Sequence, residues 1–526
     1  MNDRLAQSQP ALVAVSPLKE VWTIAWPTVL TMTSYTVMQF IDKLMVAKVS
    51  PLHLTAASNG GIWSFNAMAF ALGVVTVINT FVSQNLGAGR PERGPAYAWA
   101  GFWLSIMTWA VILIPWAIAL PAIFATLPQH SPELEKLESQ YARILLFGSV
   151  ILLSSRGLNQ YFFGMHMPKI VTIAAIAGNI TNVITNYVLI YGRDGVTVDF
   201  GSGPVHLPGV PGVTPLDVRG AAWATVLGTI VEFAIPACIF LGPKMNAALH
   251  TRRAWRFQWV TVRDLIKLGW PAAVQWSSEI ICWSIFMSAL VGSFGELHMN
   301  AGWIALSYMH LSFMPAVGFS VAVTSLVGRY IGAGQPDIAA ARARLGVRLA
   351  VGYMTTCGLL FFVFRHELVW AFIGSNVSEE DVQTIIALGS NMMICAAIFQ
   401  TFDAFGIVYS GALRGAGDTV WPGLITIIYS WLFIVLGGWL LVKFAPDISS
   451  LGPWIAASVY IIVFGMTMWR RFANGRWRSI RLVPTLQQEA SEVAPLVPTP
   501  PATVPAASVE DLAESIAEST QPGGPR

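Results

Sequence analysis

One pattern occurs twice in this chain, 245 positions apart, and each copy closes a long apolar run. Gly87-Ala88-Gly89-Arg90-Pro91 returns as Gly332-Ala333-Gly334-Gln335-Pro336. Upstream, Leu52-His53 with Ala56 matches Leu297-His298 with Ala301, and Gly73 matches Gly318, at the same offset. Trp26-Pro27 matches Trp270-Pro271 at 244, so one insertion or deletion separates the two registers. A duplication this long in an apolar chain restricts the fold to two membrane-embedded halves facing one central space, an arrangement common among transporters.

The medium follows from composition. Of 526 residues, 55% are hydrophobic and 11% charged, where a soluble chain carries about 25% charged residues. With a mean hydropathy of +0.59, the chain reads as a polytopic membrane protein. The net charge of +3 says little about partners. Cys238, Cys282, Cys357 and Cys395 all fall in apolar runs without metal-ligand spacing and read as small buried hydrophobes. Residues 1–17 have no basic segment followed by an apolar core, so no cleaved signal peptide is expected.

A span needs about 20 mostly apolar residues. That rule gives twelve runs: 20–47, 56–83, 97–123, 141–164, 169–191 and 219–242, then 264–292, 299–327, 346–371, 385–412, 420–443 and 451–470. Basic residues collect after even-numbered spans: Arg90 and Arg93, Lys169, Lys244 through Lys267, Arg329 through Arg348, Arg414, and Arg470 through Arg481. The opposite loops are acidic, with Glu133, Glu135 and Glu138 in one and Glu379, Glu380 and Asp381 in another. The positive-inside rule then places both termini in the cytoplasm of a bacterial-type inner membrane. Six spans per half return the chain to its starting side, so the repeats should be parallel. The expected divisions are a cytoplasmic segment 1–17, a six-helix lobe 18–243, a cytoplasmic connector 244–263, a second lobe 264–475 and a disordered tail 476–526. The tail's composition turns to Pro, Ala, Ser, Thr and Glu from Pro484. The Gly/Pro-rich stretch 193–218 reads as an outer loop in preference to a hairpin.

A charge at the centre of a span costs about 2.5–3.5 kcal/mol, so such residues face the protein interior and usually have a task. Three acids qualify. Asp42 lies toward the outer end of span one, sharing a face with Tyr35 and Met38 or Gln39; the alternative is an interfacial aspartate beside Lys43 and Lys48. Glu279 sits mid-span in the seventh run, between Trp276 and Trp283 on one helical face. A carboxylate between indoles suits an organic cation, Na⁺ or a proton; the alternative is a structural hydrogen bond to a neighbouring helix. Asp403 is mid-span in the tenth run, with Gln400 one turn before it and no basic residue nearby in sequence. Its charge is penalised there unless a cation or proton relieves it. Shifted by 244, Asp42 falls on Phe286 and Glu279 falls on Tyr35; the scaffold repeats and the acids do not, as expected if each half hosts its own site. Span five adds Asn179, Asn182 and Asn186, which either coordinate a cation or tie helices together. Thr225 in span six could add a hydroxyl. His310 reads as a hydrogen-bonded core histidine. Pro27 and Pro271 are expected to break matching helices.

These positions resemble the multidrug and toxic compound extrusion (MATE) family of drug/cation antiporters, over about residues 17–475. "FIDKLMVAKVSPLHLTAAS" (40–58) looks like the first-span signature with Asp42 at its acidic position, and "LGWPAAVQWSSE" (268–279) like the seventh-span signature with Glu279 at its glutamate. "FQTFDAFGIVYSGALRGAGDT" (399–419) is the most specific stretch and carries Asp403. The resemblance implies an all-α polytopic membrane protein, twelve helices in two parallel six-helix repeats around a V-shaped central cleft. It further implies a NorM-like branch in which Glu279 and Asp403 hold Na⁺ or H⁺. Where some relatives carry an aspartate late in span five, this chain has Asn186, leaving Asp42 with the neutral partners Asn182, Asn186 and Thr225.

The function implied is secondary active export of lipophilic, cationic compounds in exchange for Na⁺ or H⁺. Tyr35, Gln39, Trp276, Trp283 and Gln400 are candidate cleft residues. The alternative is a flippase for lipid-linked oligosaccharide or another polar lipid, which would need several cations for phosphate; Arg156 is the one candidate in the spans. No nucleotide loop, His-Glu-x-x-His helix or Gly-x-Ser-x-Gly elbow occurs, which argues against an enzyme. No cofactor is expected beyond the coupling ion. The expected partners are the lipid bilayer and a small organic substrate, with no nucleic acid, and the chain is expected to be a monomer.

Overall fold

A computed structural model describes residues 16–125, 131–199, 204–373, 378–480 and 482–483. Its twelve long helices match the twelve apolar runs. We label them α1 Pro17–Ala47, α2 Leu52–Gly87, α3 Pro91–Phe124, α4 Pro132–Gly164, α5 Pro168–Asp194, α6 Asp217–Phe240, α7 Trp259–Phe294, α8 Glu296–Gly332, α9 Pro336–Val363, α10 Glu379–Ala416, α11 Val420–Phe444 and α12 Leu451–Ala473. Eleven of these are long and apolar enough to cross a membrane. The exception, α1, is 31 residues long but is diluted by hydroxyls: Thr28, Thr31, Thr33, Ser34 and Thr36.

Those hydroxyls have local acceptors. Thr31 Oγ1 and Thr172 Oγ1 both donate to the Pro27 carbonyl, at 2.8 and 2.9 Å. Contrary to expectation, α1 and α7 run through Pro27 and Pro271 without breaking. At Pro27, hydroxyls from α1 and α5 converge on the proline's own carbonyl and tie the two helices together there.

The duplication is visible in three dimensions. An added Cβ on Gly318 of α8 would lie 2.6 Å from Val29 Cα of α1; one on Gly73 of α2 would lie 2.7 Å from Ala273 N of α7. The two glycines are repeat equivalents, and so are the two residues they face, so the halves touch through one contact used twice. Only a residue without Cβ permits this backbone approach.

Two expectations need correction. The stretch after α5 contains a two-stranded antiparallel hairpin, β1 Val196–Asp199 and β2 Pro204–Leu207, with Val196 opposite Leu207. The alternating β-branched residues of Val196-Thr197-Val198 favour extended chain, and this outweighs the Gly/Pro signal that favoured a loop. The tail expected from 476 instead begins with a folded turn, Arg476–Ser479. Its Trp477 is fully buried, stacked on Phe472 at 4.7 Å between centroids. An indole so near an aromatic-rich helix end gains more from burial than a short turn costs in order. The Pro/Ala-rich remainder, from 484, lies outside the described residues.

Candidate functional site

The second-half site draws on three helices. Glu279 on α7 accepts a hydrogen bond from Tyr460 Oη of α12 at 2.9 Å. Asp403 on α10 lies within electrostatic reach of Glu279 and has no hydrogen-bond partner among the described residues. Both are half-buried, neither sealed nor turned fully out. Arg414 also lies within electrostatic reach of Glu279. Sequence reading put Arg414 in a loop; the structure puts it in the last turn of α10, because the Gly-Ala-Leu-Arg-Gly run continues the helix to Ala416. Among the described residues no group of three or more His, Cys, Asp or Glu that could hold a metal ion occurs.

The cleft candidates divide. Gln400 is buried and donates to Ser312 Oγ of α8 at 2.6 Å, a tie between helices. Trp283 packs edge-on against Phe286, ring centroids 5.2 Å apart. Trp276 is half-buried and Gln39 exposed. His310, read as a core histidine, is exposed and lies parallel to Phe313; the ring contact takes the place of a buried hydrogen bond.

In the first half, Asn186 Nδ2 donates to Asp42 Oδ1 at 2.5 Å and to Asn182 Oδ1 at 3.1 Å. Three expected residues are thus brought together. Thr225 is not joined to them: its hydroxyl donates to the Ala221 carbonyl of its own helix at 3.0 Å. Asn182 Nδ2 and Asn186 Oδ1 are buried without partners, as is Asn179 Nδ2 further along the helix; of these, Asn186 Oδ1 is the acceptor left open beside Asp42.

Sequence reading missed a fourth acid. Glu232 lies in the middle of α6 and is 5% exposed. Its Oε1 accepts from Tyr35 Oη at 2.5 Å, Asn159 Nδ2 at 2.9 Å and Arg156 Nη1 at 3.2 Å. The rule that found Glu279, a carboxylate inside an apolar run, would also have found Glu232. Glu138, assigned to an acidic loop, is likewise buried in α4, accepting from Asn59 Nδ2 at 2.7 Å; the helix begins nine residues before the apolar run and carries it inward.

The halves are joined at the face where α1 begins and α12 ends. Thr80 Oγ1 donates to the Arg414 carbonyl and Gln84 Nε2 to the Gly415 carbonyl, each at 3.0 Å. Glu20 of α1 accepts from Tyr330 Oη at 2.6 Å and Arg342 Nε at 2.5 Å. His166, between α4 and α5, meets the Ser325 carbonyl through Nε2 at 3.2 Å and Arg329 through Nδ1 at 3.4 Å. That geometry requires the neutral ring, with Nε2 donating and Nδ1 accepting. Burial, helped by the Arg329 charge, pushes the His166 pKa down to about 3.

Comparison with known proteins follows the same outline. The family model described as MatE matches residues 27–188 and 272–440, more than half of the chain. The chain is 26% identical over 471 residues to the "Probable multidrug resistance protein NorM" of Pseudomonas syringae pv. tomato, covering 88% of this chain and 96% of that protein. It is 26% identical over 485 residues to the "Multidrug resistance protein PmpM" of Pseudomonas aeruginosa, covering 91% and 95%. A solved MOP superfamily transporter from Pyrococcus furiosus, described as having a binding pocket of reverse polarity, shares the fold with a TM-score of 0.77 at 20% identity, covering 88% of this chain and 97% of that one.

Proposed function

Because this chain belongs to the MatE family, we propose that it is a secondary active antiporter exporting lipophilic, cationic compounds in exchange for Na⁺ or H⁺. The observation that carries the reading is the Glu279–Asp403 pair. Two carboxylates from different helices are half-buried together, and Asp403 has no hydrogen-bond donor among the described residues. Such a pair is costly until a cation or proton arrives. The multidrug resistance relatives support export of organic compounds.

Coupling then needs the ion and the substrate to prefer different states. The basic residues at the face where α1 begins and α12 ends favour the cytoplasm for it. The hydrogen bonds joining the halves there support reading this structure as the state closed to the cytoplasm. An ion entering from outside neutralises Glu279 and Asp403, removes their attraction for a cationic substrate and favours separation of the halves at the cytoplasmic face. Asp42, with its Asn186 and Asn182 partners, is a second station for the ion.

A polar-lipid flippase is the weaker reading, since a pyrophosphate group calls for several cations and Arg156 supplies one. The decisive measurement is ethidium efflux from proteoliposomes with Na⁺ and pH gradients imposed one at a time. At least one gradient alone should drive efflux, and Glu279→Gln or Asp403→Asn should abolish it. Full-rate efflux by either variant would refute the second-half assignment.

A further inference from the structure

Arg156 is a cation inside a membrane-spanning helix, and the antiport proposed above gives it no task. Its surroundings define what it can do. Nη1 donates to Glu232 Oε1 at 3.2 Å. The guanidinium carbon lies 4.0 Å from the centroid of the Tyr35 ring, so the planar group is stacked on an aromatic face and held in orientation. Among the described residues, Glu232 Oε1 is the one acceptor that meets the guanidinium in strict hydrogen-bond geometry, and the Tyr35 hydroxyl, bonded to the same carboxylate, also interacts with it.

The Nε and Nη2 edge is therefore unused. That edge is the fork whose two parallel N–H bonds match both oxygens of a carboxylate. Arg156 is also the more accessible member of the pair: 28% of its side chain is exposed, against 6% for Glu232. Glu232 is already engaged by Tyr35 and Asn159, which fix it as a counter-ion and leave it poorly placed to meet a ligand.

Stability does not explain the pair. Taking two charges out of water costs about as much as their attraction returns, and apolar residues in their place are often neutral or stabilising. A guanidinium stacked on one ring, held by one carboxylate and left with an open fork is instead a built recognition element.

We propose that Arg156 is an anion subsite of the first half, which takes the carboxylate of an organic solute through Nε and Nη2 while Tyr35 and Glu232 hold the guanidinium in place. The exported compounds then include ones that carry a carboxylate. That extension rests on the exporter reading; the subsite itself does not.

The test uses the full chain purified in detergent and a pair of dyes that differ in one group, rhodamine 110 and its methyl ester rhodamine 123, read by fluorescence anisotropy. Wild type should bind the carboxylate dye roughly tenfold more tightly than the ester, the effect of one charge-assisted pair. Arg156→Gln combined with Glu232→Gln, which leaves no uncompensated buried carboxylate, should abolish the difference. Arg156→Lys, a point charge without the fork, should retain only part of it. A wild type that does not distinguish the dyes, or a double variant that still does, would overturn the subsite. Ion-driven efflux of the ester is the separate arm. Dye preference without efflux sinks the exporter reading and leaves the subsite standing; efflux without preference does the reverse.

Discussion

The paired glycines permit a quantitative test of how the halves close. Gly73→Ala and Gly318→Ala each add one methyl group. On Gly318 it would sit 2.6 Å from Val29 Cα and 2.7 Å from Val29 N; on Gly73 it would sit 2.7 Å from Ala273 N and 3.0 Å from Ala273 Cβ. Ordinary carbon contacts are about 3.5–4.0 Å, so each helix pair must part by roughly 1 Å. The obstructing atoms are mostly backbone and cannot rotate away. Overpacking of this kind costs about 1–3 kcal/mol per site, and the two sites involve different helix pairs, so the costs should add. The double variant should lose about 2–6 kcal/mol from the closed state only, a shift of thirtyfold or more in population. Spin labels at Glu92 and Asp337, exposed repeat equivalents on the two halves, would report it in a variant lacking the four cysteines. The inter-label distance distribution should move from a short to a longer population. A folded double variant with an unchanged distribution would refute the idea that these contacts define closure.

Three further outcomes are expected. Glu20→Gln should weaken the closed state by about 1–2 kcal/mol, and a double-mutant cycle with Arg342→Gln, read through the same labels, should show coupling; strict additivity would remove the latch. For His166 the sign is set by its lowered pKa. The buried ring titrates near 3 and an exposed one near 6.5, so the separated state binds the extra proton as pH falls below about 6.5, and closure is fully supported only above that. Acidifying that face from pH 7.5 to 5.5 should favour separation about tenfold, and an equal response in His166→Asn would sink the assignment. Trp477→Ala should cost about 3–5 kcal/mol, lowering the midpoint of thermal unfolding, since the indole is fully buried; an unchanged midpoint would mean the turn is ornamental to the fold.

The twelve helices were legible because each apolar run is long and its limits carry charge or proline. What escaped was whatever depends on a helix extending past its apolar run. Arg414 and Glu138 lie at such extensions, and hydropathy alone assigns them to loops. The site was legible residue by residue where a lone acid interrupts apolar sequence, as at Glu279 and Asp403. Its partners were not: Tyr460 is 181 positions from Glu279, and Tyr35 is 197 positions from Glu232. No periodicity within one helix reveals which phenol meets which carboxylate.

That pairing alters the meaning of the duplication. In sequence the acids do not repeat, since Glu279 falls on Tyr35. In the structure each of these residues, on the first helix of its half, bonds to a residue on the last helix of the same half. In the second half the first helix supplies the carboxylate and the last supplies the phenol; in the first half the roles are exchanged. Matching Gly220 to Gly452 puts Tyr460 opposite Gly228, one helical turn from Glu232. Each half thus joins its first and last helices by a phenol–carboxylate bond, with donor and acceptor exchanged between the helices. Around it the charges diverged too. Arg156 balances Glu232 directly at 3.2 Å; Glu279 instead has a second carboxylate, Asp403, within electrostatic reach. The first-half pair is neutral with a cationic edge exposed, and the second-half site gathers negative charge. The same pair of helix positions therefore sits in different electrostatic surroundings in the two halves, with Arg156 beside Glu232 in the first and Asp403 and Arg414 within reach of Glu279 in the second.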